Sequence, residues 1–274
     1  MKRVDGRDFD QLRKLKITQN YLAHPLSSVM IEFGGTKVVC AVSVENRIPG
    51  WMRAQNVPGG WLTCEYGMLP ASTHDRMRRE SSSGKQGGRT VEIQRLIGRS
   101  LRGVMDLKKL GQNTIYIDCD VVDADGGTRC AGITGAATAL QLAINSAYAK
   151  RNFKAGCMQE LVGAVSVGIV DGKPVLDLCY EEDCNAEVDM NVVMTESGKF
   201  IEVQGTAEGH PFSRSQFNEM LELAESGLKK IFEIQRKVIN GNSGSGSSSK
   251  GTKKRIHPNQ KLGSLGDVFG DVKI

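Results

Sequence analysis

Gln86-Gly-Gly-Arg-Thr-Val-Glu-Ile-Gln-Arg-Leu-Ile-Gly-Arg-Ser-Leu-Arg102 joins a glycine pair, an arginine and a helical repeat in one stretch. Ile93, Leu96, Ile97, Leu101 and Val104 fall on one helical face, and Glu92, Arg95, Arg99 and Arg102 on the other. Thr90 stands where a cap is expected. Glycines before a helix let backbone N–H groups approach an oxyanion, the helix start adds partial positive charge, and a guanidinium offers paired donors. Some forty residues later Asp125-Gly-Gly-Thr128-Arg129 repeats the pattern, with Thr128 as a further donor. Spacing alone also fits a glycine turn beside a surface arginine. Neither stretch is a P-loop or a dinucleotide fingerprint.

Working outward, Val29 to Val44 reads as two strands around Gly34-Gly35, a hairpin. A turn-rich interval and a polar segment, Ser72 to Gln86, follow, and a long surface loop is expected there. Thr114 to Val122 alternates as a strand that sets Asp118 and Asp120 opposite Ile115, Ile117 and Cys119. A small-residue helix is predicted over Ala131 to Lys150. Then come strands at Val162–Val170, Val175–Tyr180, Glu187–Met194 and Ile201–Gln204, and an amphipathic helix from about Ser213 to Val238. The order suggests two similar α/β halves, about 1–150 and 151–239. Residues 240–274 have a Gly/Ser-rich and then basic composition and are expected to be disordered.

The 274 residues carry a formal charge of +5, of which the tail beyond Ile239 contributes +4. Local density is more telling: Arg76 to Lys109 holds ten basic residues against three acidic ones, enough to attract a polyanion. No apolar run is long enough for a membrane span, and the first residues do not form a secretory leader, so a cytoplasmic protein is expected. The seven cysteines are scattered without a C-x-x-C pair and read mainly as small core residues.

A second constellation is acidic. Glu187, Asp189 and Asn191 share one face of a predicted strand, with Asp183 just upstream. Such carboxylates can hold a cation such as Mg²⁺ together with phosphate oxygens, or can be an ordinary solvated strand edge. The four histidines are isolated, and no serine or cysteine has a recognisable base nearby. A reaction without a protein nucleophile, in which phosphate or water attacks a phosphodiester, fits this inventory.

Further motifs accompany these: Val4-Asp-Gly-Arg7, Thr63-Cys-Glu-Tyr-Gly-Met-Leu-Pro70, Asp118-Cys-Asp-Val121, Val188-Asp-Met-Asn-Val-Val-Met194 and Ile201-Glu-Val-Gln-Gly-Thr-Ala-Glu-Gly209. With Lys85–Arg102 and Asp125–Arg129, they make residues 1–239 resemble bacterial ribonuclease PH, of the phosphorolytic 3′ exoribonuclease family. The resemblance implies an α/β fold of the ribosomal-protein-S5 domain 2-like, RNase PH type, with mixed sheets and packed helices. It implies phosphate-dependent 3′-to-5′ trimming of tRNA precursors, and by extension rRNA, with release of nucleoside 5′-diphosphates in a reversible nucleotidyl transfer.

By position, Arg89, Gly127, Thr128 and Arg129 match the family's phosphate ligands. Asp183 and Asp189 match its catalytic or metal-binding carboxylates, for Mg²⁺ or Mn²⁺, with inorganic phosphate as co-substrate. Arg76, Arg78 and Arg79 match the loop that grips tRNA. Ala71 departs from the arginine common after Met-Leu-Pro, and the tail is a second departure. The resemblance also implies a homohexamer, a trimer of dimers. An RNA-binding ring subunit without catalysis and a metal-dependent hydrolase are the competing readings, and retention of Arg89, Thr128, Arg129, Asp183 and Asp189 disfavours the first.

Overall fold

The computed structural model describes residues 3–241. The expected tail therefore lies, from residue 242 on, outside the described residues. In chain order the elements are β1 (Leu15–Gln19), β2 (Ser27–Phe33), β3 (Thr36–Glu45), α1 (Gly50–Ala54), β4 (Trp61–Met68), α2 (Gly88–Arg102), β5 (Thr114–Asp123) and α3 (Thr128–Asn145). They continue with α4 (Ala147–Asn152), β6 (Val162–Val170), β7 (Lys173–Leu176), α5 (Tyr180–Asn185), β8 (Val188–Thr195), β9 (Phe200–Ala207) and α6 (Arg214–Ile239).

Two sheets result. The first has the order β1-β2-β3-β5-β4, antiparallel except for the parallel pair β4/β5. The second, β7-β6-β8-β9, is antiparallel throughout. The hairpin at Gly34-Gly35 forms as its sequence predicts, with Phe33 opposite Thr36.

Helix α3 packs on β2, β3 and β5 on one side and on β6 on the other. It is buried almost all round, as a helix between two sheets must be. Its alanines and glycines permit the approach: a Cβ on Gly135 would come within 2.7 Å of Cys40 Sγ. Its polar groups are satisfied internally, since Thr134 Oγ1 accepts the Ala164 amide (3.0 Å) and Gln235 of α6 donates to Thr134 O (3.1 Å) and Thr138 Oγ1 (3.0 Å). The apolar face of α2, Ile93 to Leu101, is buried in the same core. Six of the seven cysteines are buried and only Cys184 is exposed, in keeping with a packing role for most of them. Among the described residues no helix is long and apolar enough to cross a membrane.

Three expectations are corrected. The helix predicted over Ala131 to Lys150 begins at Thr128 and breaks at Ser146, whose extended backbone and Oγ cap α4 by accepting the Ala149 amide (3.2 Å). The strand predicted over Val175 to Tyr180 ends at Leu176, and Tyr180 opens α5. Thr90 is not the cap of α2: the helix starts at Gly88, and Glu80 Oε1 accepts both the Gly87 amide (3.0 Å) and the Thr90 hydroxyl (2.7 Å). Glu80 belongs to a short 3₁₀ turn, Glu80–Ser83, inside the otherwise irregular segment between Ser72 and Gln86.

Candidate active site

The stretch Asp125–Arg129 turns from β5 into α3. Gly126 and Gly127 have φ of +71° and +64°, the left-handed region. At Gly126 a Cβ would also come within 2.7 Å of the Cys179 carbonyl carbon and the Leu178 oxygen, so only glycine lets this loop lie on the segment entering α5. Asp125 Oδ1 accepts the Tyr180 amide (3.1 Å), its own amide donates to Thr36 Oγ1 (2.8 Å), and that hydroxyl donates to Gly126 O (2.6 Å). Arg13 completes the clamp. Its guanidinium donates to the Asp125 carbonyl and pairs with the buried Asp177 carboxylate (2.7 Å).

Helix α5 is fixed from its other side. Arg3 meets Glu182 in a two-pronged pair (2.7 and 2.6 Å), both side chains almost fully buried, and also donates to Leu176 O (2.7 Å). Burial opposes ionisation of Glu182, but Arg3 and the Cys179 amide outweigh it and hold this carboxyl below the usual range. With Glu182 anchored inward, its neighbour Asp183 faces the charges of Arg89, Arg129 and Arg13.

Asp189, on β8, completes the acidic pair. Burial, and then the charge of Asp183, push its carboxyl up to about 6, against the pull of Arg129, Asn191 and Arg89. Burial likewise raises Asp183, while Arg89, Arg129 and Arg13 pull it down. Three stretches distant in sequence, around Arg89, Arg129 and Asp183–Asp189, therefore come within electrostatic reach of one another. Glu187, predicted to share this face, does not join the pair: its carboxylate accepts the Gly172 amide (2.7 Å).

Each cationic arm is held differently. Arg129 donates to Gln204 Oε1 of β9 (2.6 Å) and lies 3.8 Å from Glu92 of α2, and Gln204 itself donates to Glu92 (3.2 Å). Thr128 Oγ1 accepts the Tyr66 hydroxyl (3.0 Å), which leaves the threonine proton to be donated elsewhere. Arg89 is exposed and, among the described residues, has neither an ion pair nor a side-chain hydrogen bond. Because Glu80 occupies the Gly87 amide, Arg89 contributes its guanidinium rather than the expected backbone cradle. Farther along α2, Arg99 pairs with Glu202 (2.5 Å), and Arg102 lies over the Trp61 ring at 5.0 Å and donates to Leu62 O (3.1 Å).

Beside this centre opens a cavity of about 690 Å³ whose lining includes Arg78, Arg79, Lys85 and Arg89. Its floor carries Glu65, Asp118 and Asp120 from β4 and β5. Burial raises the Asp118 carboxyl, with Glu65 and Asp120 adding to it; burial and Glu65 do the same to Asp120. Arg76, Arg78 and Arg79 are all exposed and form no ion pair among the described residues, and Ala71 is exposed at the loop's start.

Sequence reasoning missed Arg3, Arg13, Thr36 and Asp177, and left Tyr66 and Gln204 inside motifs without a role of their own. Arg7, in the Val4–Arg7 motif, was quoted without a role; it pairs with Asp5 (2.6 Å) and approaches Glu182 (3.5 Å). No local signal marks Arg13 or Arg3, because their buried carboxylate partners, Asp177 and Glu182, lie more than 160 residues away.

Asp183 and Asp189 could hold a hard divalent cation. They are oxygen donors, close enough to disfavour each other's charge, and among the described residues no third His, Cys, Asp or Glu converges with them into a cage. Two carboxylates completed by substrate oxygens is the usual arrangement for Mg²⁺.

Comparison with known proteins places residues 11–144 in the 3′ exoribonuclease family, domain 1, and residues 160–227 in domain 2 of the same family. Solved structures share the fold. Rice (Oryza sativa) Rrp46 is 20% identical with a TM-score of 0.70, covering 87% of this chain and 100% of its own. A chain of the Archaeoglobus fulgidus exosome with RNA bound to the active site is also 20% identical, with a TM-score of 0.70 over 85% of this chain and 92% of that one. A chain of an archaeal exosome core gives 20% and 0.65, over 87% and 91%.

Proposed function

The chain belongs to the 3′ exoribonuclease family, and we propose that it is a catalytically active phosphorolytic enzyme of the ribonuclease PH type. On this reading it shortens the 3′ ends of tRNA precursors and rRNA, with inorganic phosphate as the attacking reagent. The observation that carries the proposal is the mutual electrostatic reach of Arg89, Arg129, Asp183 and Asp189. A subunit that only bound RNA would gain nothing from setting two repelling carboxylates beside two phosphate-seeking arginines.

Arg89 and Arg129, with the amides and hydroxyl at Gly127–Thr128, hold the incoming phosphate and neutralise it against the anionic chain. A phosphate oxygen bonds to the phosphorus of the terminal nucleotide, the bond to the penultimate O3′ breaks, and that oxygen takes a proton. The product is a nucleoside 5′-diphosphate, and its anhydride makes the reverse transfer accessible. Asp183 and Asp189 would hold Mg²⁺ or Mn²⁺, which when bound supplies positive charge against the transferring phosphoryl oxygens. Arg76, Arg78 and Arg79 contact RNA phosphates and fix position without reading sequence. Exosome structures with this fold support a ring assembly; a homohexamer would gather several basic loops around one opening and strengthen their field.

The test is incubation of the protein with a 3′-extended tRNA and Mg²⁺, with and without phosphate, and identification of the released nucleotide. Phosphate-dependent shortening with nucleoside diphosphate is expected. Shortening without phosphate, or monophosphate as the main product, supports the hydrolase reading instead; RNA binding without shortening supports the inert ring subunit.

A further inference from the structure

Of the exposed aromatic side chains Tyr21, Trp51, Tyr180 and Phe200, only Tyr180 lies on the helix that carries Asp183. The two stand three residues apart, the spacing that brings side chains to one helical face. The Tyr180 amide is bonded to Asp125 of the phosphate-binding loop (3.1 Å), so the position of its ring is tied to both halves of the site. His74, from the arginine-rich loop two residues before Arg76, packs on it with ring centroids 5.2 Å apart and a 49° tilt. Tyr180 nevertheless keeps 47% of its surface exposed.

The open groove of about 530 Å³ beside this pair is lined by Asp5, Asp125, Glu181 and Asn185. Carboxylates there repel a phosphate. The phenol ring offers a flat apolar surface that suits a base instead.

We propose that Tyr180, backed by His74, is a stacking platform for a nucleobase flanking the scissile phosphate of the RNA. An enzyme that removes nucleotides one after another must accept every base in turn. Stacking meets that demand because every base has a π-face, whereas a hydrogen-bonded pocket discriminates. His74 on the arginine loop, Tyr180 on the Asp183 helix and Asp125 on the phosphate loop then link grip on the RNA to alignment of its end. This inference rests on the phosphorolytic reading of the site.

The experiment uses the full chain and short RNAs carrying the fluorescent base 2-aminopurine at the terminal or the penultimate position, without phosphate so that no turnover occurs. Binding is expected to quench one of the two labels severalfold. Tyr180→Leu abolishes the quenching and weakens RNA binding about tenfold, the scale of one lost base stack. With phosphate added, the same variant raises KM for RNA and leaves KM for phosphate unchanged. Tyr180→Phe restores both signals. His74→Ala, on an exposed loop, reduces the quenching and carries the test if Tyr180→Leu does not fold. Undiminished quenching in Tyr180→Leu, or in His74→Ala where that variant stands in, overturns the platform. Should the wild-type chain release no nucleoside diphosphate from RNA and phosphate, the phosphorolytic reading falls and takes the platform with it; release by wild type with normal quenching in the variants removes the platform alone.

Discussion

Gly87-Gly88-Arg89 and Gly126-Gly127-Thr128-Arg129 look alike in sequence and are used in opposite ways. In the first, neither glycine adopts positive φ, a Cβ at Gly88 meets nothing, and the arginine is exposed and unpaired among the described residues. In the second, both glycines are left-handed, the loop is clamped by Arg13, Thr36 and the α5 backbone, and Arg129 is held by Gln204. One stretch supplies an unpaired arm beside an open cavity; the other supplies a clamped seat. On the proposed phosphorolytic reading, a phosphate that enters and leaves at every cycle is served by both, since a fixed seat aligns it and an unpaired arm can close on it.

The contrast breaks most sharply at Arg13. Arg13→Ala should cost about 3–5 kcal/mol in urea unfolding, because the buried Asp177 carboxylate loses its partner. A loss under about 1 kcal/mol would show that the seat does not depend on this clamp. Gly126→Ala comes next, with a cost of at least about 2 kcal/mol from the left-handed backbone and the clash with Cys179 and Leu178.

Arg89→Ala leaves stability unchanged and raises KM for phosphate roughly 10- to 100-fold, as expected for a lost charge-assisted hydrogen bond. Its effect on KM for RNA should be much smaller, and equal effects on both would contradict the arm's assignment to phosphate.

pH supplies a subtler test. Asp189 sits at about 6 against an ordinary 3.8, so folding favours its protonated form. Stability of the cation-free protein from this group is complete below about pH 4 and is lost as pH rises through about 6, by an amount on the order of 1 kcal/mol. Asp189→Asn should remove that slope in denaturation measured at pH 4, 5 and 6.5. The smallest effect is expected at Gly88→Ala, which places a better helix former where a Cβ has open space and should stabilise by about 0.5–1 kcal/mol. Destabilisation there would mean that the first glycine pair is as constrained as the second.

Much of this architecture is legible along the chain. The alternation from Thr114 to Val122, the apolar stripe from Ile93 to Leu101 and the hairpin at Gly34-Gly35 are local patterns, and each forms as its period predicts. The convergence of Asp183 and Asp189 is anticipated by the resemblance, but the carboxylate of Glu187 does not join them. Strand alternation sets it on the Asp189 side, yet the Gly172 amide, from the turn after β6, captures its carboxylate. Thr90 was mistaken for the cap of α2 for a similar reason: the true acceptor, Glu80, sits ten residues upstream in a loop without period.

The sequence by itself determined the α/β alternation, the positions of both glycine–arginine stretches and the local density of basic charge, because these depend on backbone preference and on neighbours within a few residues. Only the tertiary structure decided which stretch is clamped. Arg13 reaches Asp177, and Asp125 reaches Tyr180, across intervals of 164 and 55 residues. Contacts of that range follow from how α3 brings the two sheets together, and they leave no trace in the local spacing of the chain.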